Sequence, residues 1–137
     1  MDEGRARERF ADARVARLAT VTPEGRPHLV PIVFAVAGNT IYTAVDAKPK
    51  STTALRRLAN ITANPEVAVL ADFYDEDWTR LWWVRADGVA AIVAGERARI
   101  GIEQLTVRYP VYRHQPPPGP VLAFEVTRWA GWSAEPI

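Results

Sequence analysis

Alternation of apolar and polar side chains dominates the chain from residue 15 to residue 45. Three runs rich in β-branched residues, VARLATVT, RPHLVPIVFAV and TIYTAV, are separated by turn signals at residues 23–25 and 38–39. This pattern predicts three antiparallel strands. Because Pro27 and Pro31 cannot donate to a strand ladder, we expect the second strand to begin at a proline, to lie at an edge or to be distorted.

Three other segments carry helical spacing. Residues 3–14 are charged and rich in helix formers, and residues 96–109 repeat apolar side chains every three or four positions. Between them Ser51 is a good N-cap, and the dipeptide at residues 64–65, Asn-Pro, ends a helix. The face of this middle helix that we predict to be buried holds Leu55, Leu58, Ala59 and Thr62.

Strand spacing returns at EVAVLADFY, at RLWWVRADGVAAIV, where Gly88 is expected to kink the chain, and at VLAFEVTRWAGW. The order is therefore helix, three strands, helix, two strands, helix, strand. This order predicts a mainly β fold, a six-stranded antiparallel barrel whose openings are covered by short helices. With 137 residues, 48% of them apolar, a single domain over residues 1–137 is expected.

Composition narrows the function. The chain has no cysteine, which excludes disulfides, thiolate metal sites and a cysteine nucleophile. Its formal charge is only +1, so it has no global field that attracts nucleic acid. The N-terminus is charged and no apolar run approaches the ~20 residues that cross a bilayer, so we expect a cytoplasmic protein without a membrane partner.

Both lysines of the chain, Lys48 and Lys50, directly precede the helix that Ser51 caps, and Arg56 and Arg57 follow one turn later. Free N–H groups and the helix dipole favour negative charge at this end, and the cations supply charge-assisted donors to phosphate oxygens. The segment therefore predicts a local phosphate site. The alternative is that these side chains form a solvated turn and the wet face of the helix.

The five tryptophans include a cluster in EDWTRLWWVR, where strand alternation sends Trp82 and Trp83 to opposite faces. An outward aromatic can stack on a planar heterocycle, although core or dimer contacts are the more common role. Arg85 shares the face of Trp83. It is placed either to reach a ring carbonyl or phosphate of a bound cofactor or to form a surface ion pair.

The sequence lacks the residue patterns of several kinds of catalytic, metal-binding and nucleotide-binding sites. The two histidines and two serines have no spacing typical of a nucleophile with its base, which disfavours a hydrolase. The acidic residues between 72 and 77 lack the glycine-punctuated spacing of a calcium loop, and no metal site is expected. There is also no glycine-rich phosphate loop or dinucleotide fingerprint.

With these features in place, the sequence resembles the pyridoxamine-phosphate-oxidase-like flavin split-barrel superfamily. The resemblance lies in LATVTPEGRPHLVPIVF, in the KPKS turn with LRRLANITANPEVAVL, and in LWWVRADGVA, and it covers nearly the whole chain. Within the superfamily, GRPHLVPIVF and EDWTRLWWVR are similar to the deazaflavin (coenzyme F-420)-dependent branch. The fuller basic set of true pyridoxamine phosphate oxidases is not obvious, which argues against that reaction here.

The resemblance implies a homodimer with two cofactor sites at the subunit interface. It implies that the backbone around Pro31, Ile32 and Val33, within the segment ending at Phe34, faces the isoalloxazine-like ring. It assigns the cofactor phosphate to the turn and helix that follow, at the matching positions Lys48, Lys50, Ser51, Arg56 or Arg57, with Asn60 close by. Partner tryptophans from the Trp82–Trp83 strand or the C-terminal strand are expected to cover the ring.

The implied activity is an F-420-dependent reductase that transfers a hydride between the deazaflavin and an unsaturated small molecule. Since the cofactor carries the redox chemistry, the protein would bind, orient and exclude water, and no catalytic dyad is required. Two alternatives remain open. One is an FMN-dependent oxidoreductase on the same barrel, and the other is a non-catalytic flavin- or deazaflavin-binding protein.

Overall fold

The computed structural model describes residues 1–45 and 52–135. The helices and strands appear in the order α1 (Glu3–Asp12), β1 (Ala16–Val21), β2 (Pro27–Ile32), β3 (Ala35–Ala37), β4 (Thr40–Ala44), α2 (Thr52–Ala63), β5 (Glu66–Phe73), β6 (Trp82–Val93), α3 (Gly95–Arg108), α4 (Val111–His114) and β7 (Val121–Ser133). A 3₁₀ turn, Trp78–Arg80, precedes β6. The three predicted helices are confirmed, and the short α4 was not predicted.

Within the described residues, seven strands form one antiparallel sheet in the order β2-β1-β5-β6-β7-β4-β3. The prediction of a mainly β, antiparallel fold with helices is confirmed, but the six-stranded barrel was wrong: the described sheet has seven strands and is open, with β2 and β3 at its edges. Only residues 33 and 34 separate these two edge strands along the chain. Since consecutive Cα atoms are 3.8 Å apart, Ile32 and Ala35 lie within about 11 Å of each other, so the sheet curls enough to bring the end of β2 close to the start of β3.

The extra strand arises because the predicted second strand breaks at Phe34. The Phe34 N–H donates to the hydroxyl of Tyr109 at 3.1 Å, and its carbonyl accepts from Tyr109 at 2.8 Å and from Arg108 at 3.0 Å. The neighbouring carbonyl of Val33 accepts from the Thr43 hydroxyl at 2.7 Å. Side chains thus satisfy the backbone groups that a strand partner would otherwise take.

The main core lies inside the curled sheet, and α1 and α2 contribute to it. Phe10 of α1 is fully buried, with its ring 4.8 Å from that of Phe34 and 5.4 Å from that of Trp129. From α2, Ile61 enters the same cluster. The helices therefore add apolar side chains to a core that the strands of this short chain enclose, which stabilises the fold by removing apolar surface from water.

The buried face of α2 differs from the predicted one. Asn60 and Ile61 are buried, and Leu58 packs against the core, whereas Ala59 and Thr62 are exposed. The prediction chose only apolar and small residues for this face. It was wrong for Ala59 and Thr62 because a hydrogen bond makes the burial of Asn60 possible, with its Nδ2 donating to Thr20 Oγ1 at 3.0 Å.

A second apolar cluster lies on the other side of the sheet, under α3. Leu105 of α3 is fully buried, and Ala98, Ile102 and Tyr109 pack against the same cluster, as the helical spacing predicted. Gly101 lets the helix approach closely, since a Cβ there would lie 2.8 Å from a Val121 methyl carbon. The helix α3 therefore covers the β3, β4 and β7 part of the sheet.

The predicted kink at Gly88 is confirmed as a bulge between β6 and β7. The register shifts between Asp87, opposite Arg128, and Gly88, opposite Val126, which leaves Thr127 as the extra residue. A Cβ at Gly88 would lie 2.3 Å from the Glu125 carbonyl oxygen, so only glycine fits there without displacement. The bulge lets β6 and β7 bend and serve both apolar clusters.

Candidate functional site

The basic segment predicted to bind phosphate is described in part. Lys48, Lys50 and Ser51 lie outside the described residues. Arg56 is exposed in α2 and Arg57 is half-buried. The described chain enters this segment at Val45, whose N–H donates to the Pro120 carbonyl at 3.1 Å and whose carbonyl accepts from the Gly119 N–H at 3.0 Å.

Asn60, the other predicted phosphate contact, points into the protein. It is 1% exposed, and its amide group donates to the buried hydroxyl of Thr20 in β1. Across the sheet, Thr20 pairs with His28 of β2. The Nδ1 atom of His28 is buried and has no hydrogen-bond partner among the residues that the structure describes.

The polar group formed by Asn60, Thr20 and His28 was not predicted as a unit. Only a weak indication of this group was present in the sequence. Thr20 follows Leu18 on the core-facing side of β1, and His28 precedes Val30 on the core-facing side of β2. Pairing two such positions requires the strand register, which single-sequence patterns specify poorly.

Residues Pro31 to Phe34 form the corner between the two sheet edges, here called the β2–β3 corner. Pro31 is exposed and Val33 is half-buried, while Ile32 and Phe34 are core residues. A ligand at this corner would therefore meet the backbone and the side chains of Pro31 and Val33. The side chains of Ile32 and Phe34 support the corner from below.

The side of β2, β1, β5, β6 and the C-terminal half of β7 that points away from the core is here called the outer face. Directly opposite residues of antiparallel strands share a face. The register pairs that define it are Leu29 with Ala19, Pro31 with Arg17, Arg17 with Leu70, Asp72 with Trp83, and Trp83 with Trp132. Leu29 is 65% exposed and Trp132 43%, so this face presents apolar surface to solvent.

Arg85 lies on the outer face beside Trp83, as strand alternation predicted. Its guanidinium carbon is 6.0 Å from the Trp83 ring centroid, and its Nε and Nη2 donate to the two carboxylate oxygens of Asp87 at 2.8 and 3.3 Å. The ion pair that we weighed against cofactor contact is thus present. The ion pair is part-exposed and holds the guanidinium close to both Trp83 and Asp87.

The remaining tryptophans divide into buried and exposed. Trp129 is a core residue whose ring N–H donates to Asn39 at 3.0 Å, and Trp82 packs against the core with the Arg9 guanidinium 5.1 Å from its ring. Both are used by the fold. Trp132 and Trp78 remain accessible, and Trp78 is 76% exposed.

Trp78 begins the 3₁₀ turn in the acidic segment after β5. The Asp77 carboxylate caps this turn by accepting from the N–H of Thr79 at 3.1 Å and from its hydroxyl at 2.6 Å. These hydrogen bonds lower the pKa of Asp77 below its usual 3.8. Within the described residues no group of three or more acidic and histidine side chains is placed to hold a metal ion, so the segment acts as a hydrogen-bonded turn.

A comparison with known protein families identifies the family of this chain. Residues 3–133 match the family described as pyridoxamine 5'-phosphate oxidase. The chain belongs to the pyridoxamine 5'-phosphate oxidase family. A search of curated proteins found no significant match.

Several solved structures share the fold of this chain. The conserved hypothetical protein Rv2991 of Mycobacterium tuberculosis superposes with a TM-score of 0.76 at 25% identity, over 98% of this chain and 86% of that one. A FAD-binding protein of Mesorhizobium loti gives 0.75 at 18% identity, over 96% and 94%. The heme storage protein HutZ of Vibrio cholerae gives 0.71 at 16%, over 97% and 95%.

The last two likenesses show the fold alone, because proteins of such low identity share architecture more reliably than chemistry. In the chain at hand the fold agrees with the family: an antiparallel sheet that curls at the β2–β3 corner, with helices packed on it. None of its described helices is long and apolar enough to cross a membrane.

Proposed function

We propose that this member of the pyridoxamine 5'-phosphate oxidase family is an F-420-dependent oxidoreductase. It would transfer a hydride between the deazaflavin and an unsaturated small molecule. The observation that carries the proposal is the basic sequence KPKS directly before α2, a helix that packs on β1 beside the strand bearing the β2–β3 corner. A phosphate-binding segment and a ring-binding corner therefore belong to neighbouring elements.

The phosphate end would be held by Lys50, Ser51 and Arg56 or Arg57, with Lys48 assisting. The N-terminal turn of α2 adds unpaired N–H groups and the positive end of its dipole. Each well-desolvated charge-assisted hydrogen bond contributes about 1.5–3 kcal/mol, so three supply a large part of the roughly 8 kcal/mol that micromolar binding requires, and ring contacts supply the rest. The exposure of Arg56 leaves its guanidinium accessible to such an anion.

The residues present fit a cofactor that has a polar chain between its ring and its phosphate. On the strand that leads to the corner, the buried Nδ1 of His28 lacks a protein partner among the described residues; it lies on the core-facing side of β2, so a cofactor hydroxyl would meet it only from that side. At the corner, Pro31 and Val33 offer apolar contact to a ring. When bound, a deazaflavin or flavin supplies hydride transfer, and the chain supplies binding, orientation and exclusion of water.

The outer face supports a homodimer as the working unit. The outer face carries apolar side chains on four strands, Leu29 of β2, Leu70 of β5, Trp83 of β6 and Trp132 of β7, and an exposed apolar patch is typical of an interface between proteins. A second copy of this chain would cover it and bring its own Trp83 and Arg85 close to the cofactor of its partner. Pro31 lies on this same face, so the ring site and the dimer contact would be continuous.

The test is a parallel titration of the purified apo-protein with F-420, FMN and hemin, followed by intrinsic tryptophan fluorescence and by cofactor absorption. Selective micromolar binding of F-420 is the expected result. No saturable binding of F-420 contradicts the proposal. Selective hemin binding would instead group the chain with the heme-binding proteins that share its fold.

An FMN-dependent oxidoreductase is the second candidate, favoured by the family and by the FAD-binding protein of the same fold. FMN offers one phosphate and a similar ring to the same elements. A yellow protein after purification, with FMN binding tighter than F-420, would select it. The third candidate is a non-catalytic flavin- or deazaflavin-binding protein. Tight binding of the cofactor without hydride transfer to any tested acceptor would identify it.

A further inference from the structure

The hydroxyl of Tyr109 takes the place of a strand partner for Phe34. It accepts from the Phe34 N–H at 3.1 Å and donates to the carbonyl of the same residue at 2.8 Å. In a sheet these two groups would pair with a neighbouring strand. Here one phenol oxygen, 75 residues further along the chain, bonds both the N–H and the carbonyl group of a single residue.

Arg108, the residue before Tyr109, holds the same corner from α3. Its Nη1 donates to the Phe34 carbonyl at 3.0 Å and its Nη2 donates to the Ala13 carbonyl after α1. Its guanidinium carbon lies 4.7 Å from the centroid of the Phe34 ring. A guanidinium with several fixed donors can join segments in this way, and here it ties α1, the corner and α3 together.

Tyr109 is itself fixed in place. It ends α3, with its N–H donating to the Leu105 carbonyl at 2.8 Å. Its ring meets that of Tyr112 edge-on, with 6.0 Å between centroids, within the apolar cluster under α3. Because both the backbone and the ring of Tyr109 are held, its hydroxyl imposes a position on Phe34 rather than following it.

We propose that Tyr109, with Arg108, is a positioning residue that sets the backbone of the β2–β3 corner in the shape that receives the cofactor ring. This inference rests on the proposed function for the identity of the ligand. The structural consequence is that the C-terminal end of α3 shapes the corner through its hydrogen bonds to the Phe34 backbone. Loss of the hydroxyl leaves the Phe34 N–H without its acceptor, while the buried Phe34 side chain stays in the core and Arg108 still donates to the Phe34 carbonyl.

The test compares Tyr109→Phe with Tyr74→Phe, which removes a hydroxyl from a residue that is 61% exposed after β5. Two readouts are needed. Hydrogen exchange of the Phe34 amide in the apo-protein should speed up in Tyr109→Phe alone, because its acceptor is gone. The dissociation constant for F-420, or for FMN if that is the ligand, should rise about tenfold in Tyr109→Phe alone, since both hydrogen bonds of the Tyr109 hydroxyl to the Phe34 backbone are lost.

The outcomes separate the two proposals. If the wild type binds and both variants bind equally well, the positioning role is overturned and the proposed function stands. If the wild type binds neither cofactor, the proposed function fails and the cofactor part of this inference fails with it. Should Tyr109→Phe lose its cooperative melting transition, Arg108→Lys takes its place with the dissociation constant as readout, because a lysine cannot donate to the Phe34 and Ala13 carbonyls in the same fork. An unchanged dissociation constant in Arg108→Lys would overturn the positioning role.

Discussion

Asn60 of α2 donates its amide hydrogen to the hydroxyl of Thr20 in β1 at 3.0 Å, and both residues are buried. The bond docks α2, the helix of the proposed phosphate site, on the sheet. A buried polar group left without a partner costs about 1–3 kcal/mol, so the pair is held as a unit.

We expect Asn60→Ala to lower the free energy of unfolding by about 2 kcal/mol, because it strands the Thr20 hydroxyl and leaves a small cavity. Urea unfolding measures the loss. The double variant with Thr20→Val should be less destabilised than the sum of the two single variants. Strict additivity would show that the two side chains do not act together.

Removal of the basic side chains tests the phosphate assignment. Lys50→Ala with Arg56→Ala should weaken binding of F-420 or FMN tenfold or more, because two charge-assisted donors are lost. The melting temperature should not change, since Arg56 is exposed. The matched control is Arg5→Ala with Arg26→Ala, which removes two exposed cations elsewhere. If both double variants lose the same affinity, the effect comes from the overall charge of the protein, and the phosphate assignment is wrong.

The outer face gives a prediction about assembly. Leu29→Asp places a charge on its apolar surface and should convert the proposed dimer into a monomer, as measured by sedimentation equilibrium. Val107→Asp is the control, because Val107 is 75% exposed on α3, away from that face. A wild type that is monomeric, or a Leu29→Asp protein that still dimerises as the control does, rules this face out as the interface.

The bulge at Gly88 predicts a loss of stability upon any added side chain. Gly88→Ala would place a Cβ 2.3 Å from the Glu125 carbonyl oxygen and should cost about 2–3 kcal/mol in the free energy of unfolding. Gly4→Ala is the control: in α1 its Cβ would have ordinary contacts, and the change should be neutral or slightly stabilising. Chemical denaturation of both variants decides; equal stability contradicts the role given to Gly88.

The turn capped by Asp77 predicts a local response to acid. The hydroxyl and N–H of Thr79 lower the pKa of the Asp77 carboxyl below 3.8. A group whose pKa is lowered by folding stabilises the folded turn above its unfolded value, and this stabilisation is lost as the pH falls through the lowered value. Trp78 fluorescence should therefore report a transition below about pH 4 that Asp77→Asn lacks. The same transition in both proteins would assign it to another group.

Much of the fold could be predicted from local patterns. Strand alternation placed the two long C-terminal strands and predicted that Trp82 and Trp83 lie on opposite faces, and helical spacing placed the buried face of α3. These features depend on the order of side chains within one element. The basic segment before α2 was visible for the same reason, and its phosphate role stays a prediction. Which of the two tryptophans faces inward came from the structure.

The break at Phe34 and the inward turn of Asn60 depended on partners far along the chain. Tyr109 supplies the hydrogen bonds that end β2 75 positions away, and Thr20 accepts from Asn60 over 40 positions. Arg85, by contrast, pairs with Asp87 two residues along its own strand, and its contact with a cofactor stays a prediction. The sequence by itself determined the periodicity of each strand and helix, because neighbouring side chains set it. The tertiary structure decided the number and order of the strands and the partners of the buried polar groups, because those require donors and acceptors that only folding brings together.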